Sequence, residues 1–143
     1  IVASISPDQS VLEATWAMRE NHVGDLVVVD ETDDGRRIPV GMLTDRDIVI
    51  KLIAEGSKDL KAERVGEVMS EEIFVAKHDD ATEDALRIME TNGVRRLPIV
   101  DDDGSLYGII TLDDMFSYLA NRMAALSNVV GAEILHEMKR DRP

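Results

Sequence analysis

Two tetrapeptides carry the residue types best placed for chemistry. Thr44-Asp45-Arg46-Asp47 and Thr111-Leu112-Asp113-Asp114 each set a hydroxyl three residues ahead of a carboxylate. On spacing alone this is a helix-capping signature, with threonine closing the first turn and aspartate reaching back to the cap. The same geometry has a second use. A helix N-terminus offers free N–H groups and the positive end of its dipole to a phosphate. A carboxylate beside it can accept both hydrogen bonds of a ribose 2′,3′-diol, which selects a nucleoside over a bare phosphate. Three arginines are the candidate cations. Arg46 lies in the first turn of its helix, where the dipole disfavours it, and that small cost hints at a use. Arg95-Arg96 sits between a helix stop and a strand, able to face a cleft. Ordinary surface ion pairing is the alternative for all three.

Composition makes those arginines matter. Sixteen Lys+Arg against 29 Asp+Glu leave the 143-residue chain at −13. Such a chain is repelled by a phosphate polymer, which argues against nucleic acid as a partner, and a small anion needs local arginines. Five lysines, eleven arginines and seventeen aspartates fit either a surface adapted to high salt or an ordinary acidic protein. The absence of cysteine excludes disulfides, thiolate metal sites and cysteine nucleophiles. His22, His78 and His136 lie far apart with no metal-type spacing, so no metal site is expected. Asp101-Asp102-Asp103-Gly104 lacks the twelve-residue loop and closing glutamate of a calcium site and reads as a turn. No nucleophile–base pair or glycine-rich phosphate loop points to an enzyme, and no catalytic residue is assigned. The apolar runs are too short to span a bilayer, and no secretory leader is visible, so a cytoplasmic location is expected. The chain begins at Ile1 in what reads as mid-strand, as a trimmed fragment would, which leaves room for a fused partner domain.

An internal repeat positions these groups. Shifted by 71 residues, segment 8–30 meets 79–101, with Asp8 on Asp79, Ala14 on Ala85, Met18 on Met89, Asn21 on Asn92, Val23 on Val94 and Asp30 on Asp101. After a longer loop in the first copy the shift becomes 67, with Gly41 on Gly108, Thr44 on Thr111 and Asp47 on Asp114. Each copy reads strand–helix–strand–strand–helix. Ser10 and Glu13 form a capping box ahead of Val11, Ala14, Ala17 and Met18 at helical spacing. Asp80 and Glu83 can do the same in the second copy, and Asn92-Gly93 stops that helix. Leu26–Val29 and Leu97–Val100 read as buried strands, and Val40–Leu43 and Tyr107–Ile110 as their neighbours. The fold class is α/β, two pseudo-symmetric β-α-β-β-α repeats packed face to face. The expected parts are repeat 1 at 1–55, a linker with one short helical turn at 56–72, repeat 2 at 73–123 and a C-terminal helical extension at 124–143, broken near Gly131. The apolar stripe Met115, Leu119, Met123, Leu126 and Val130 exceeds what a small repeat must cover, and a homodimer interface is its expected use.

Asn92-Gly-Val-Arg-Arg-Leu-Pro-Ile-Val-Asp101 and Gly108-Ile-Ile-Thr-Leu-Asp-Asp114 resemble the cystathionine-β-synthase-type (CBS) domain. Gly41-Met-Leu-Thr-Asp-Arg-Asp47 is the first-copy counterpart, and Val65-Gly-Glu-Val-Met69 resembles the family's lead-in to a repeat. Two copies in tandem resemble a Bateman module. The resemblance implies a regulatory module that senses an adenosine nucleotide (AMP, ADP or ATP), or a related ligand such as S-adenosylmethionine or NAD, in the cleft between the repeats. It also implies a dimer, and a fused or separate effector protein that receives the signal. It carries Asp47 and Asp114 over as ribose ligands, and Thr44 and Thr111 as phosphate-side contacts. With few aromatic rings available, adenine would lie in an aliphatic slot near Ser4, Val23 or Val94. Val27 stands where the second copy has Pro98, and Gly24-Asp25 stands where it has Arg95-Arg96, so the two clefts should differ in charge. A ligand-free dimerisation scaffold is the alternative function.

Overall fold

The computed structural model describes residues 2–57 and 59–140. The chain divides into two compact units, Ile1–Ile109 and Ile110–Pro143. The first unit begins with β1 (Ser4–Ile5), α1 (Val11–Asn21), β2 (Asp25–Glu31) and β3 (Arg37–Thr44). Ser10 caps α1 in a full capping box, its hydroxyl accepting from the Glu13 amide while the Glu13 carboxylate takes the Ser10 amide at 2.8 Å. The helix buries Val11, Ala14 and Met18, the stripe its spacing predicts. It ends at His22, a non-glycine residue at φ 54.

Strand β2 is the spine of the first sheet, ordered β1-β2-β3. It pairs parallel with β1, Ser4 opposite Val27, and antiparallel with β3, Asp25 opposite Thr44, with a bulge between Val28 and Val29. A strand covered on both faces must be apolar throughout, and Leu26, Val27, Val28 and Val29 are all buried. After β3 the chain makes one α-turn, α2 (Asp45–Asp47), and then widens into a π-helix over Ile48–Ile53. The sequence reads one ordinary helix here. In the widened turn Ile48 and Leu52 both reach the core, and the Lys51 ammonium donates to the Val68 carbonyl at 3.0 Å.

The expected linker is built into the first repeat. Its short helix α3 (Val65–Val68) buries Val65 and Val68 in the core with Ile5, Val11, Leu26 and Leu43. Backbone hydrogen bonds tie Val65 to Gln9 and Gly66 to Pro7. The second repeat follows with β4 (Ala76–Lys77), α4 (Thr82–Asn92), β5 (Arg96–Val100) and β6 (Leu106–Thr111), the sheet ordered β4-β5-β6. Gly93 at φ +63 stops α4 as expected. The start of α4 differs from expectation. Ala81 is the N-cap and has no side-chain cap, because the Asp80 carboxylate instead accepts the Lys77 amide at 2.8 Å. Aspartate competes for whichever amide is nearest, and a tight turn offers one first.

In the second unit, α5 (Leu112–Arg140) runs 29 residues. It passes Gly131 without the expected break, since one glycine costs a helix only about 1 kcal/mol.

Candidate functional site

One pair of corresponding positions of the two repeats meets inside the first unit. Asp25 and Arg96 match under the 71-residue shift, and the Arg96 guanidinium pairs with the Asp25 carboxylate. At the turns after β2 and β5, Arg36 donates to the Asp103 carbonyl at 3.5 Å. Between the repeats lies a cleft of about 310 Å³. The first repeat contributes Asp25, Met42 and Thr44, and the second contributes Val94, Arg95 and Arg96. Ser70 and Glu72 line it from the segment after α3.

Local rules place each of these groups. Gly93 turns the chain out of α4 and delivers Val94-Arg95-Arg96 to the mouth of β5. Thr44 ends β3 opposite Asp25. Ser70 is held by a two-bond bridge to Met42, with its amide donating at 2.8 Å and its carbonyl accepting at 3.0 Å. That bridge needs Gly41, whose added Cβ would lie 2.7 Å from both the Met69 sulfur and the Ser70 carbonyl oxygen.

The electrostatics of the cleft are uneven. The Asp25 side chain is only 8% exposed, against 42% for Arg96. Burial pushes the Asp25 carboxyl above the usual carboxylate range. Arg96 draws it down, and neighbouring Asp45 pushes it up again. Arg96 is thus engaged, whereas Arg95 is exposed and has no hydrogen-bond or ion-pair partner among the described residues.

Thr44 and Asp47 form the capping box that their spacing predicts. The Thr44 hydroxyl accepts the Asp47 amide at 3.0 Å, and Asp47 Oδ2 takes the Thr44 amide and hydroxyl at 3.0 and 2.9 Å. Asp47 Oδ1 is 3.0 Å from the Lys51 ammonium. Burial works to raise the Asp47 pKa, but the hydrogen bonds from Lys51 and Thr44 prevail and hold it below the usual range. Both oxygens of Asp47 are therefore in use, and the carboxylate does not line the cleft. In the second unit Thr111 and Asp114 repeat the box, at 2.8, 2.9 and 3.1 Å. Tyr118 stands at the position of Lys51, and Asp114 Oδ1 has no partner among the described residues. Of the two carboxylates, Asp114 keeps an oxygen for a further donor.

The other expected site residues disperse. Val23 lines a separate hollow of about 600 Å³ with His22, Asp45 and Val49, although its counterpart Val94 lines the cleft. The Ser4 hydroxyl accepts from Arg37. The exposed Arg46 side chain belongs to neither hollow. Met42, Ser70 and Glu72 also line the cleft and belong to no Thr–Asp motif in the sequence. Their only signal is adjacency, to Thr44 for Met42 and to the lead-in segment for the other two. Elsewhere His78, Asp79 and Asp102 hold ligand atoms within 4.8 Å of one another, all exposed, and could coordinate a metal ion. Spacing along the chain hides this trio, because β4 and the turn after β5 bring it together.

Chemically, the cleft presents the Arg95 cation, the Glu72 carboxylate, the Ser70 hydroxyl, a Thr44 hydroxyl shared with Asp47, and an aliphatic wall of Met42 and Val94. The sequence pattern of the CBS domain matches residues 2–54 and again 65–121. CBS domain-containing protein YhcV of Bacillus subtilis is 38% identical over 131 residues, 90% of this chain and 88% of that one. Uncharacterized protein MK0525 of Methanopyrus kandleri is 37% identical over 110 residues, 77% of this chain, which spans about half (54%) of that relative's length. Among solved structures, an uncharacterized conserved protein from Pyrococcus horikoshii superposes with a TM-score of 0.67 at 30% identity, covering 82% of this chain and 83% of that one.

Proposed function

The chain belongs to the CBS domain family as a tandem pair of repeats, and we propose that it is a regulatory module whose ligand is an adenosine nucleotide. AMP, ADP and ATP are the first candidates, with S-adenosylmethionine and NAD as related ligands. The observation that carries this reading is the placement of unpaired Arg95 in a cleft beside Thr44, Met42 and Val94. An anion held by Arg95 and a base laid on the aliphatic wall would use the free cation and the apolar surface of the cleft. Thr44 would serve the phosphate. Asp47 would meet a ribose only by exchanging Lys51 for it. Asp114 and Thr111, with a free carboxylate oxygen, would serve the second site. Arg46, Arg96, Ser4 and Val23 would act, if at all, after rearrangement of the contacts described above. Occupancy would shift the arrangement of the repeats and so reach an effector protein.

Titration calorimetry against AMP, ADP, ATP and adenosine tests this. Arg95→Ala is expected to weaken AMP binding tenfold or more and leave adenosine binding unchanged. Asp114→Ala is expected to weaken both. Unchanged binding in Asp47→Ala, Asp114→Ala and the double variant would refute the ribose assignment. A second reading, a ligand-free scaffold, is favoured by one observation: Asp25 and Lys51 already satisfy Arg96 and Asp47. It is adopted if no adenosine compound binds or raises the melting temperature.

A further inference from the structure

Strands β4 and β5 run parallel, with Lys77 opposite Val100. Parallel neighbours leave a sheet at the same end, so the residues that follow, 78–79 and 101–102, emerge side by side. There His78, Asp79 and Asp102 hold ligand atoms within 4.8 Å of one another. An ion centred in so large a triangle would sit no more than about 2.8 Å from each atom, against about 2.0–2.2 Å in a zinc site. Exposed side chains close a gap of under about 1 Å by small torsional changes.

Backbone hydrogen bonds fix both turns. The His78 amide donates to the Val100 carbonyl at 3.0 Å and the Asp80 amide to the Lys77 carbonyl at 3.1 Å. Across from them, the Asp101 amide donates to the Ser105 carbonyl and the Gly104 amide to the Asp101 carbonyl, each at 2.9 Å. The Tyr107 ring lies 5.4 Å from the imidazole of His78. Asp101 Oδ1 is 3.5 Å from its Nδ1, as a carboxylate commonly stands behind a metal-bound histidine. The remaining carboxylates divide. Asp80 accepts the Lys77 amide and Asp103 the Ser105 amide. Asp79 and Asp102 have no hydrogen-bond or ion-pair partner among the described residues. In a chain of net charge −13, neighbouring carboxylates repel and a cation relieves them. The first repeat has Pro7 at the position of His78 under the 71-residue shift, so the repeat itself does not require an imidazole there.

We propose that His78, Asp79 and Asp102 form a site for a divalent transition-metal ion of the zinc type, which staples the turn before α4 to the turn between β5 and β6. One imidazole nitrogen with two carboxylate oxygens suits zinc, whereas calcium and magnesium take oxygen ligands. Water completes the coordination at this exposed place. None of the three residues lines the cleft, and the proposal is independent of what binds there.

Titration calorimetry of the full chain with zinc chloride is expected to give one zinc per chain, with calcium and magnesium bound at least tenfold more weakly. His78→Ala, and Asp79→Asn with Asp102→Asn, are each expected to weaken zinc binding tenfold or more, and His136→Ala to leave it unchanged. These side chains are all exposed, so the metal-free variants should melt with the parent. Zinc should raise the melting temperature of the parent but not of His78→Ala. No zinc binding, calcium bound as tightly as zinc, or zinc binding that survives His78→Ala or is lost in His136→Ala would each overturn the proposal.

Discussion

Removing the Arg96 guanidinium isolates a carboxylate that already resists ionisation. Asp25 is almost wholly buried, and its pKa is raised by burial, restrained by Arg96 and raised again by Asp45. Arg96→Met keeps the aliphatic stem and deletes only the restraint. Leaving one charge of a buried pair alone costs about 3–5 kcal/mol. Asp25 can limit that cost by taking a proton. Keeping neutral at pH 7 an acid whose unfolded pKa is about 3.9 costs about 1.4 kcal/mol per pH unit, or about 4 kcal/mol. This ceiling falls to about 1.5 kcal/mol at pH 5. The sign follows from the raised pKa: the penalty is absent in acid and grows as pH rises from the unfolded value toward the folded one. Urea unfolding of Arg96→Met should therefore show a loss of about 2–4 kcal/mol at pH 7, falling to about 1.5 kcal/mol or less at pH 5. Asp25→Asn alone should cost about 1 kcal/mol or less, because the half-exposed Arg96 can turn to water. The double variant should recover most of the loss. Equal losses at the two pH values, or a double variant equal to the sum of the singles, would refute the reasoning.

Asp47, whose pKa is held down, should show the opposite sign. Asp47→Asn is expected to destabilise by about 1–2 kcal/mol at neutral pH through the lost cap, a difference that disappears as pH falls through the folded carboxylate's titration, read by urea unfolding from pH 7 into the acid range. Gly41→Ala forces a methyl against the Met69 sulfur and the Ser70 carbonyl. It should cost about 1–3 kcal/mol in thermal unfolding and also weaken nucleotide binding, since Ser70 lines the cleft. His22→Gly relieves the left-handed conformation that ends α1. It should stabilise by about 1 kcal/mol, raising the melting temperature by roughly 3 °C.

What could be read in advance was what short-range rules encode. The Ser10–Glu13 box, the Gly93 stop, the Val-rich strands and the matched Thr–Asp boxes follow from spacing within a few residues. Asp80 was misassigned because two amides compete for one carboxylate and only the turn geometry decides. The π-helix escaped because Ile48 and Leu52 fit an ordinary helix equally well. The cleft was legible in part. Thr44, Val94, Arg95 and Arg96 reach it, but Val23 does not: it lines a different hollow with His22 and Asp45. Ser70 and Glu72 enter through the Met42 bridge, a contact between segments far apart in the chain. The Lys51 clasp on Asp47 was not read in advance, although its i,i+4 spacing is a signal for it, and it distinguishes the two boxes more sharply than the boxes themselves do.

The opposed signs of Asp25 and Arg96, which occupy the same position of their repeats, bear on which halves can join. When a duplicated unit folds back on its twin, a residue on the symmetry axis confronts its own descendant. Two copies of the first repeat would bring Asp25 against Asp25, each carboxylate repelling the other. Opposite charges at this one position therefore favour unlike halves over like ones, and the chain that joins them is the species in which both charges are met.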